Sequence, residues 1–203
     1  MKARDSESYG QHGITWVDRL GVWLSQRSIR KWLPKNRKID VLELGCGYKA
    51  AQLVALGDIL NKGLGVDFHI APELKGRADF EFLESSIEDA LPRLAGRQFD
   101  MIMLISVLEH LHNPAAVLEA AHAMLRPGGI VLINVPSWRG KKFLEFSAFR
   151  LGLSPKVEMD DHKMYYNLND LWPLLVRAGF RPSLIKMFYH KFGLNLFACA
   201  RKV

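Results

Sequence analysis

Cysteine is scarce in this chain. Its 203 residues include two, Cys46 and Cys199, which excludes a disulfide framework and leaves no metal-ligand spacing. No apolar run is long enough to cross a bilayer. Residues 1–13 are polar and include acids, unlike the apolar core of a secretory leader. A reduced, cytoplasmic protein without a metal site is the expectation, with a partly mobile polar tail. Internal repeats and low-complexity tracts are also missing. The length suits one domain over residues 1–203 and is too short for two ordinary ones.

What is present is an ordinary globular composition, 49% hydrophobic and 24% charged, sufficient for a full core. The net charge of +7 admits an acidic partner: nucleic acid, an anionic metabolite or a lipid surface. It does not select one. Basic residues bunch at Arg27, Arg30, Lys31, Lys35, Arg37 and Lys38, and again at Arg139, Lys141 and Lys142. A solvated face is the favoured reading of both groups.

Residues 1–38 read as a tail and an amphipathic cap helix. Trp16, Leu20 and Trp23 share one helical face, Ile29, Trp32 and Leu33 continue the pattern, and Pro34 ends it. Short apolar runs then alternate with helical stretches. Strands are expected at Ile39–Leu44, Gly63–Asp67, Phe80–Leu83, Phe99–Ile105 and Ile130–Val135. Helices are expected at Lys49–Leu60, around Ile87–Leu94, and after an Asn113 cap with Pro114 in the first turn. Gly128 and Gly129 should stop this last helix. Strands this apolar are covered on both faces, and strict alternation implies a parallel sheet. The end of the chain departs from the pattern. A helix over Leu168–Ala178, capped by Asn167 or Asn169, precedes two strands, Leu184–His190 and Leu194–Arg201, joined by a short turn. Such a hairpin makes at least one strand antiparallel. The expected fold is α/β, a Rossmann-like doubly wound, mostly parallel seven-stranded sheet with an antiparallel C-terminal hairpin.

In such sheets ligands bind beyond the carboxyl ends of the strands, where strand order reverses. The first strand runs into Gly45-Cys46-Gly47, where glycines permit a sharp turn and close approach of a ligand to the backbone. The second ends at Asp67, whose carboxylate can accept ribose hydroxyls. Residues 45–50 also satisfy the dinucleotide pattern G-x-G-x-x-G/A, so these features define a nucleoside site and no more. Glu43 separates the readings. A carboxylate behind the loop repels a pyrophosphate and suits a ligand that ends in an ammonium group.

With Glu43, the segment Val107-Leu108-Glu109-His110 and the turn Arg126-Pro127-Gly128-Gly129, the chain from about Ile39 onward resembles the class I S-adenosylmethionine-dependent methyltransferases, the small bacterial-type group similar to methyltransferase type 11. The terminal hairpin fits this resemblance. One departure is Lys49, where the family's loop usually has a third glycine. The resemblance implies S-adenosyl-L-methionine as cofactor. Glu43, Gly45, Cys46 and Gly47 would line its methionine part, Asp67 would hold the ribose and Phe68 would lie against the adenine. Ser86 and Ile87 fall at the adenine edge, and Ser106 and Val107 at the amino-acid end. From the residues alone, Phe68 reads equally well as core, and Cys46 as a small packing residue rather than a nucleophile.

Methyl transfer from a sulfonium chiefly requires alignment and exclusion of water. Where a base is needed, His110 and His162 are the catalytic candidates, with His112 a third; a hydrogen-bonded brace is the competing role for each. The expected acceptor is a small molecule or a lipid- or sugar-type compound. Nucleic acid is not favoured, since the Asn/Asp-Pro-Pro-aromatic signature is missing. Peripheral membrane contact is compatible with the aromatic cap helix. The connection over 136–161 is long enough to be a substrate lid. The competing functions are an NAD(P)-dependent oxidoreductase and a noncatalytic nucleoside-binding module on the same fold. The sequence sets no oligomeric state.

Overall fold

The computed structural model describes residues 7–141 and 163–203. Helix α1 (Trp16–Arg30) opens with a capping box. The Thr15 hydroxyl accepts from the Asp18 amide at 3.2 Å, and the Asp18 carboxylate accepts from the Thr15 amide at 2.8 Å. Strand β1 (Ile39–Leu44) follows, then α2 (Ala51–Val54), β2 (Leu60–Asp67), β3 (Phe80–Glu84), α3 (Ile87–Leu94) and β4 (Phe99–Ile105). Helix α4 (Pro114–Met124), β5 (Leu125–Pro136), α5 (Leu168–Arg177), β6 (Ile185–His190) and β7 (Asn195–Arg201) come next.

The strands form one sheet in the order β3-β2-β1-β4-β5-β7-β6. All neighbouring pairs are parallel except those of β7, which runs antiparallel to both β5 and β6. The expected doubly wound fold with its antiparallel hairpin is therefore observed. Two apolar layers cover the sheet. Ala90, Leu94, Val117, Leu118, Leu171 and Leu175 bring α3, α4 and α5 onto one face. Ile29 and Leu53 bring α1 and α2 onto the other, over Val41, Met101, Met103 and Phe197.

The boundaries around α2 and β2, and around α4 and β5, differ from the sequence pattern. The helix expected over Lys49–Leu60 is the four-residue α2 followed by a 3₁₀ turn at Gly57–Ile59. Strand β2 begins at Leu60 rather than Gly63, because Leu60 pairs with Ile39 of β1 and is buried there. Tertiary pairing overrides a helical apolar pattern at this point. Likewise α4 ends at Met124 before the glycines, and Leu125 already pairs with Phe99. Asn113 caps α4, and Asn167 rather than Asn169 caps α5.

Gly128 and Gly129 lie inside β5 beside a clamp at the amino ends of the strands. Arg126 donates to Asp100 and to Asp40, each at 2.7 Å. Arg37 donates to Asp100 at 2.8 Å, and the Asp40 amide donates to Asp100 at 2.9 Å. A Cβ on Gly129 would stand 2.9 Å from the Arg126 carbonyl oxygen and 3.0 Å from that of Asp100, so only glycine fits. The Arg-Pro-Gly-Gly turn thus ties the starts of β1 and β4 to β5. Arg126→Ala should lower the unfolding free energy by about 1–2 kcal/mol, a discounted value for a half-exposed pair network. Urea unfolding checks this.

Candidate active site

The strand order reverses between β1 and β4, so their carboxyl ends lie side by side. In register, Glu43 of β1 stands beside Gly65 of β2 on one flank and Met103 of β4 on the other. The backbone then turns at Gly45, with φ of 72°. A Cβ there would overlap the Val107 side chain, which arrives from the end of β4. Glycine is thus required both by the left-handed backbone and by the close approach of the two strand ends. The Gly45 and Cys46 amides donate to the Val66 carbonyl at 2.8 and 3.1 Å, which folds the loop back over β2. Gly65 makes room beneath it, since a Cβ there would sit 2.8 Å from both the Cys46 sulfur and the Phe82 ring.

Lys49, at the position of the third glycine, is exposed and is not among the left-handed residues; Ala50, with φ of 43°, is. The departure from the usual loop therefore costs no backbone strain at Lys49. Cys46 is buried, and burial pushes its thiol well above the ordinary value, with the charges of Glu43 and Asp67 adding to the effect. It is a packing residue in this setting.

Glu43 is fully buried behind the loop, and its carboxylate accepts from the Leu53 amide at 3.1 Å. Burial holds its pKa well above the usual carboxylate range, against that hydrogen bond; the Asp67 charge pushes the same way as burial. Asp67 closes β2. Its Oδ2 accepts from the Gly47 amide at 2.7 Å and its Oδ1 from the Phe68 amide at 2.9 Å. Burial raises the Asp67 pKa, opposed by bonds from the Ser8 hydroxyl and these amides. Phe68 lies half-buried beside it. One strand further out, Ser86 caps α3. Its hydroxyl accepts from the Asp89 amide at 3.0 Å and donates to the Asp89 carboxylate at 2.7 Å. Ile87 begins that helix and packs against the core.

Across the crevice, Ser106 is exposed and left-handed, with φ of 58°. Non-glycine residues seldom adopt this conformation, and its occurrence at a strand end over the crevice is typical of functional sites. Val107 is buried against Gly45. His110 ends the 3₁₀ turn Leu108–His110, half-buried, its amide donating to the Val107 carbonyl at 2.9 Å. His162 and nearly all of the expected lid over 136–161 lie outside the described residues.

Several groups at this end of the sheet escaped the sequence reading. Ser8 and Tyr9, in the tail expected to be mobile, are seated on the glycine loop. The Ser8 hydroxyl accepts from the His69 amide at 2.6 Å, and the Tyr9 carbonyl accepts from the Tyr48 amide at 2.9 Å. Asn134, fully buried in β5, donates through Nδ2 to the Ser106 hydroxyl at 3.1 Å. Its Oδ1 pairs closely with His190 Nε2, and His190 Nδ1 lies 3.4 Å from the Ser28 hydroxyl of α1. A polar chain therefore runs from the cap helix to the strand-end serine. Its one visible sequence signal was a lone Asn in an apolar run. Glu109 is fully buried, its Oε2 has no hydrogen-bond partner among the described residues, and burial pushes its pKa up to about 8. Lys191 is desolvated beside it and drops to about 8, with Glu109 opposing the shift.

Burial lowers His190 from its ordinary 6.5 to about 4, helped by the charges of Lys191 and Lys31. The unfolded chain then binds the extra proton first as pH falls, so this group contributes stability above about pH 6.5 that is lost progressively toward pH 4. His190→Gln should flatten that part of the stability curve, measured by urea unfolding between pH 7 and pH 4.5.

Comparison with known proteins shows the family and the fold. Residues 21–183 match the family described as methyltransferase domain. Among curated proteins, the ubiquinone biosynthesis O-methyltransferase of Azotobacter vinelandii is 27% identical over 151 residues, covering 64% of this chain and 61% of that protein. The Paraburkholderia xenovorans protein of the same name is 31% identical over 114 residues, 51% of this chain and 47% of that protein. The chain thus spans less than two thirds of the length of these relatives. Among solved structures, an S-adenosylmethionine-dependent methyltransferase from Archaeoglobus fulgidus superposes with a TM-score of 0.67 at 15% identity, over 93% of this chain and all of that one. The Burkholderia thailandensis 1,6-didemethyltoxoflavin-N1-methyltransferase, solved with S-adenosylhomocysteine, gives 0.66 at 20% identity, over 93% and 80%. With its sheet order, its inserted antiparallel strand and the family match over most of its length, the chain belongs to the class I S-adenosylmethionine-dependent methyltransferase family.

Proposed function

We propose that the protein transfers a methyl group from S-adenosylmethionine to a small-molecule or lipid-type acceptor, at an oxygen atom. The observation that carries this reading is the buried Glu43 directly behind a glycine turn whose Cβ space Val107 already fills. Glu43, Gly45 and Gly47 would hold the methionine part, with Ser106 and Val107 opposite. Asp67 would hold the ribose, and Phe68 and Ile87 would flank the adenine. Ser86 would contribute through its backbone, its hydroxyl being engaged with Asp89. When bound, the cofactor supplies an electrophilic methyl group on a sulfonium.

The chain's own residues align the acceptor and keep water out. The acceptor would lie beyond the ends of β4 and β5, between α1 and the β6–β7 turn. Asn134, held through its Oδ1 by His190, which is neutral at physiological pH, orients Ser106 there. His110 and His162 are the candidate bases for a hydroxyl proton, which neutral imidazole accepts. Support for an oxygen acceptor comes from the names of the curated relatives.

A nicotinamide-dependent oxidoreductase is disfavoured by the same Glu43, because a pyrophosphate gives this buried acid no partner of opposite charge, whereas an ammonium does. Calorimetry should show binding of S-adenosylmethionine or S-adenosylhomocysteine and none of nicotinamide dinucleotides; the reverse result sinks the reading. Asp67→Ala should weaken cofactor binding about tenfold or more. Glu43 adds a pH signature. An ammonium nearby favours its charged form and draws its pKa down, so binding releases a proton and affinity falls as pH falls. Calorimetry in buffers of different ionisation enthalpy reads this release, and Glu43→Gln should abolish it. A labelled-methyl screen over hydroxylated small molecules and lipids identifies the acceptor. Activity that survives both His110→Ala and His162→Ala would remove them as bases.

A further inference from the structure

Helix α1 turns its aromatic side away from the protein. Its inward face carries Ser25, Ser28 and Ile29, all buried, while Gln26 and Gln52 tie it to α2 through backbone carbonyls at 3.3 Å. Trp16 is 76% exposed and Trp23 53%, with Leu20 between them one turn from each and also exposed. Three large apolar side chains at positions i, i+4 and i+7 make a continuous stripe, and on a helix already seated by its other face such a stripe is unused by the core. Arg19, Arg27 and Lys31 are exposed around the stripe. The one acid of the helix, Asp18, is engaged in capping Thr15. Between Thr15 and Lys38 the chain holds seven basic residues and one acidic residue.

A second apolar side chain display stands beside this helix. The β6–β7 turn brings Lys191 against α1, its Nζ 3.8 Å from where a Cβ on Gly21 would be. Lys191 and Phe192 take φ of 49° and 59°, and the Gly193 amide donates to the His190 carbonyl at 3.1 Å. This is the backbone of a type I′ turn, which normally uses Asn or Gly at both central positions. Phe192 is strained in it and 93% exposed. Strain that displays a phenylalanine to solvent is not explained by packing.

We infer that the outer face of α1, with Phe192 at its side, docks on an anionic lipid bilayer. Tryptophan and phenylalanine insert at the headgroup level, and the surrounding arginines and lysine meet anionic phospholipid. A second copy of the chain fits this face poorly, since a two-fold contact would bring Arg19, Arg27 and Lys31 of both copies together. The face borders the carboxyl ends of β4 and β5, so docking would open the acceptor side of the crevice toward the membrane. The inference stands on α1 and the turn and does not depend on the proposed reaction.

Sedimentation of the full chain with vesicles tests it. Vesicles of equimolar phosphatidylcholine and phosphatidylglycerol should carry the protein down, with a blue shift in tryptophan emission, and added salt should release it. Phosphatidylcholine alone should bind it weakly. The triple variant W16A/L20A/W23A should lose about tenfold or more in affinity. R19E/R27E, which leaves the apolar stripe intact, should lose the preference for anionic vesicles, and F192S should bind more weakly than wild type. Circular dichroism confirms that each variant is folded. Wild type that ignores anionic vesicles, or variants that bind them as well as wild type does, would overturn the inference. So would a stripe-dependent dimer in analytical ultracentrifugation, or a stripe-dependent shift of single-stranded RNA, in protein that does not bind vesicles.

Discussion

The space between Gly45 and Val107 governs the upper end of this molecule. The strand order reverses between β1 and β4, so no crossover helix roofs the gap, and the loop after each strand leans into it. Val107 occupies the place of a Gly45 side chain. The loop after β1 must therefore turn in left-handed backbone and fold toward β2, where its amides meet the Val66 carbonyl and the Asp67 carboxylate. Glu43 is sealed behind that turn by the same packing. The positions of the two acids follow from one close approach of two strand ends.

The two ends of the sheet treat charge in opposite ways. At the amino ends, Asp40 and Asp100 meet Arg37 and Arg126 directly. Burial pulls the Asp100 pKa up, but the Asp40 amide and the two guanidinium groups hold it below its usual value. These charges are matched by partners inside the fold and serve to hold it together. At the carboxyl ends, Glu43, Asp67 and Glu109 are raised by burial, while His190 and Lys191 are lowered by it. Burial shifts each of these groups toward its uncharged form, a shift that a partner of opposite charge reverses. Perturbed acids and bases gathered at one end of a sheet are a physical mark of a site.

The rim of that end is built from parts distant in sequence. Helix α1, the β6–β7 turn and the loop after β4 meet through Ser28, His190, Asn134 and Ser106. The chain of side chains couples a surface helix to a left-handed serine at the crevice. The same helix shows its aromatic face outward, so anything that moves α1 at the surface is one polar chain away from Ser106.

Much of this was legible in the sequence. Alternating apolar runs specified a parallel sheet because a strand covered on both faces needs apolar residues throughout, and the final two runs specified the antiparallel end. Glu43, Gly45 and Asp67 could be named as candidates because their places at the strand ends are set by local sequence. The α2 region was misjudged because Leu60 reads as helix in isolation and is claimed by β1 only in the fold. The Arg-Pro-Gly-Gly turn was a marker of family before the structure showed it to be a clamp on β1 and β4. Ser8, Asn134, His190 and Lys191 acquire meaning only from contacts across the fold, Ser28 to His190 spanning 162 positions. Local pattern determined the strands, the glycine turn and the candidate residues around it. Tertiary packing alone decided which polar groups are buried together, because desolvation and pairing depend on neighbours that the chain order does not place side by side.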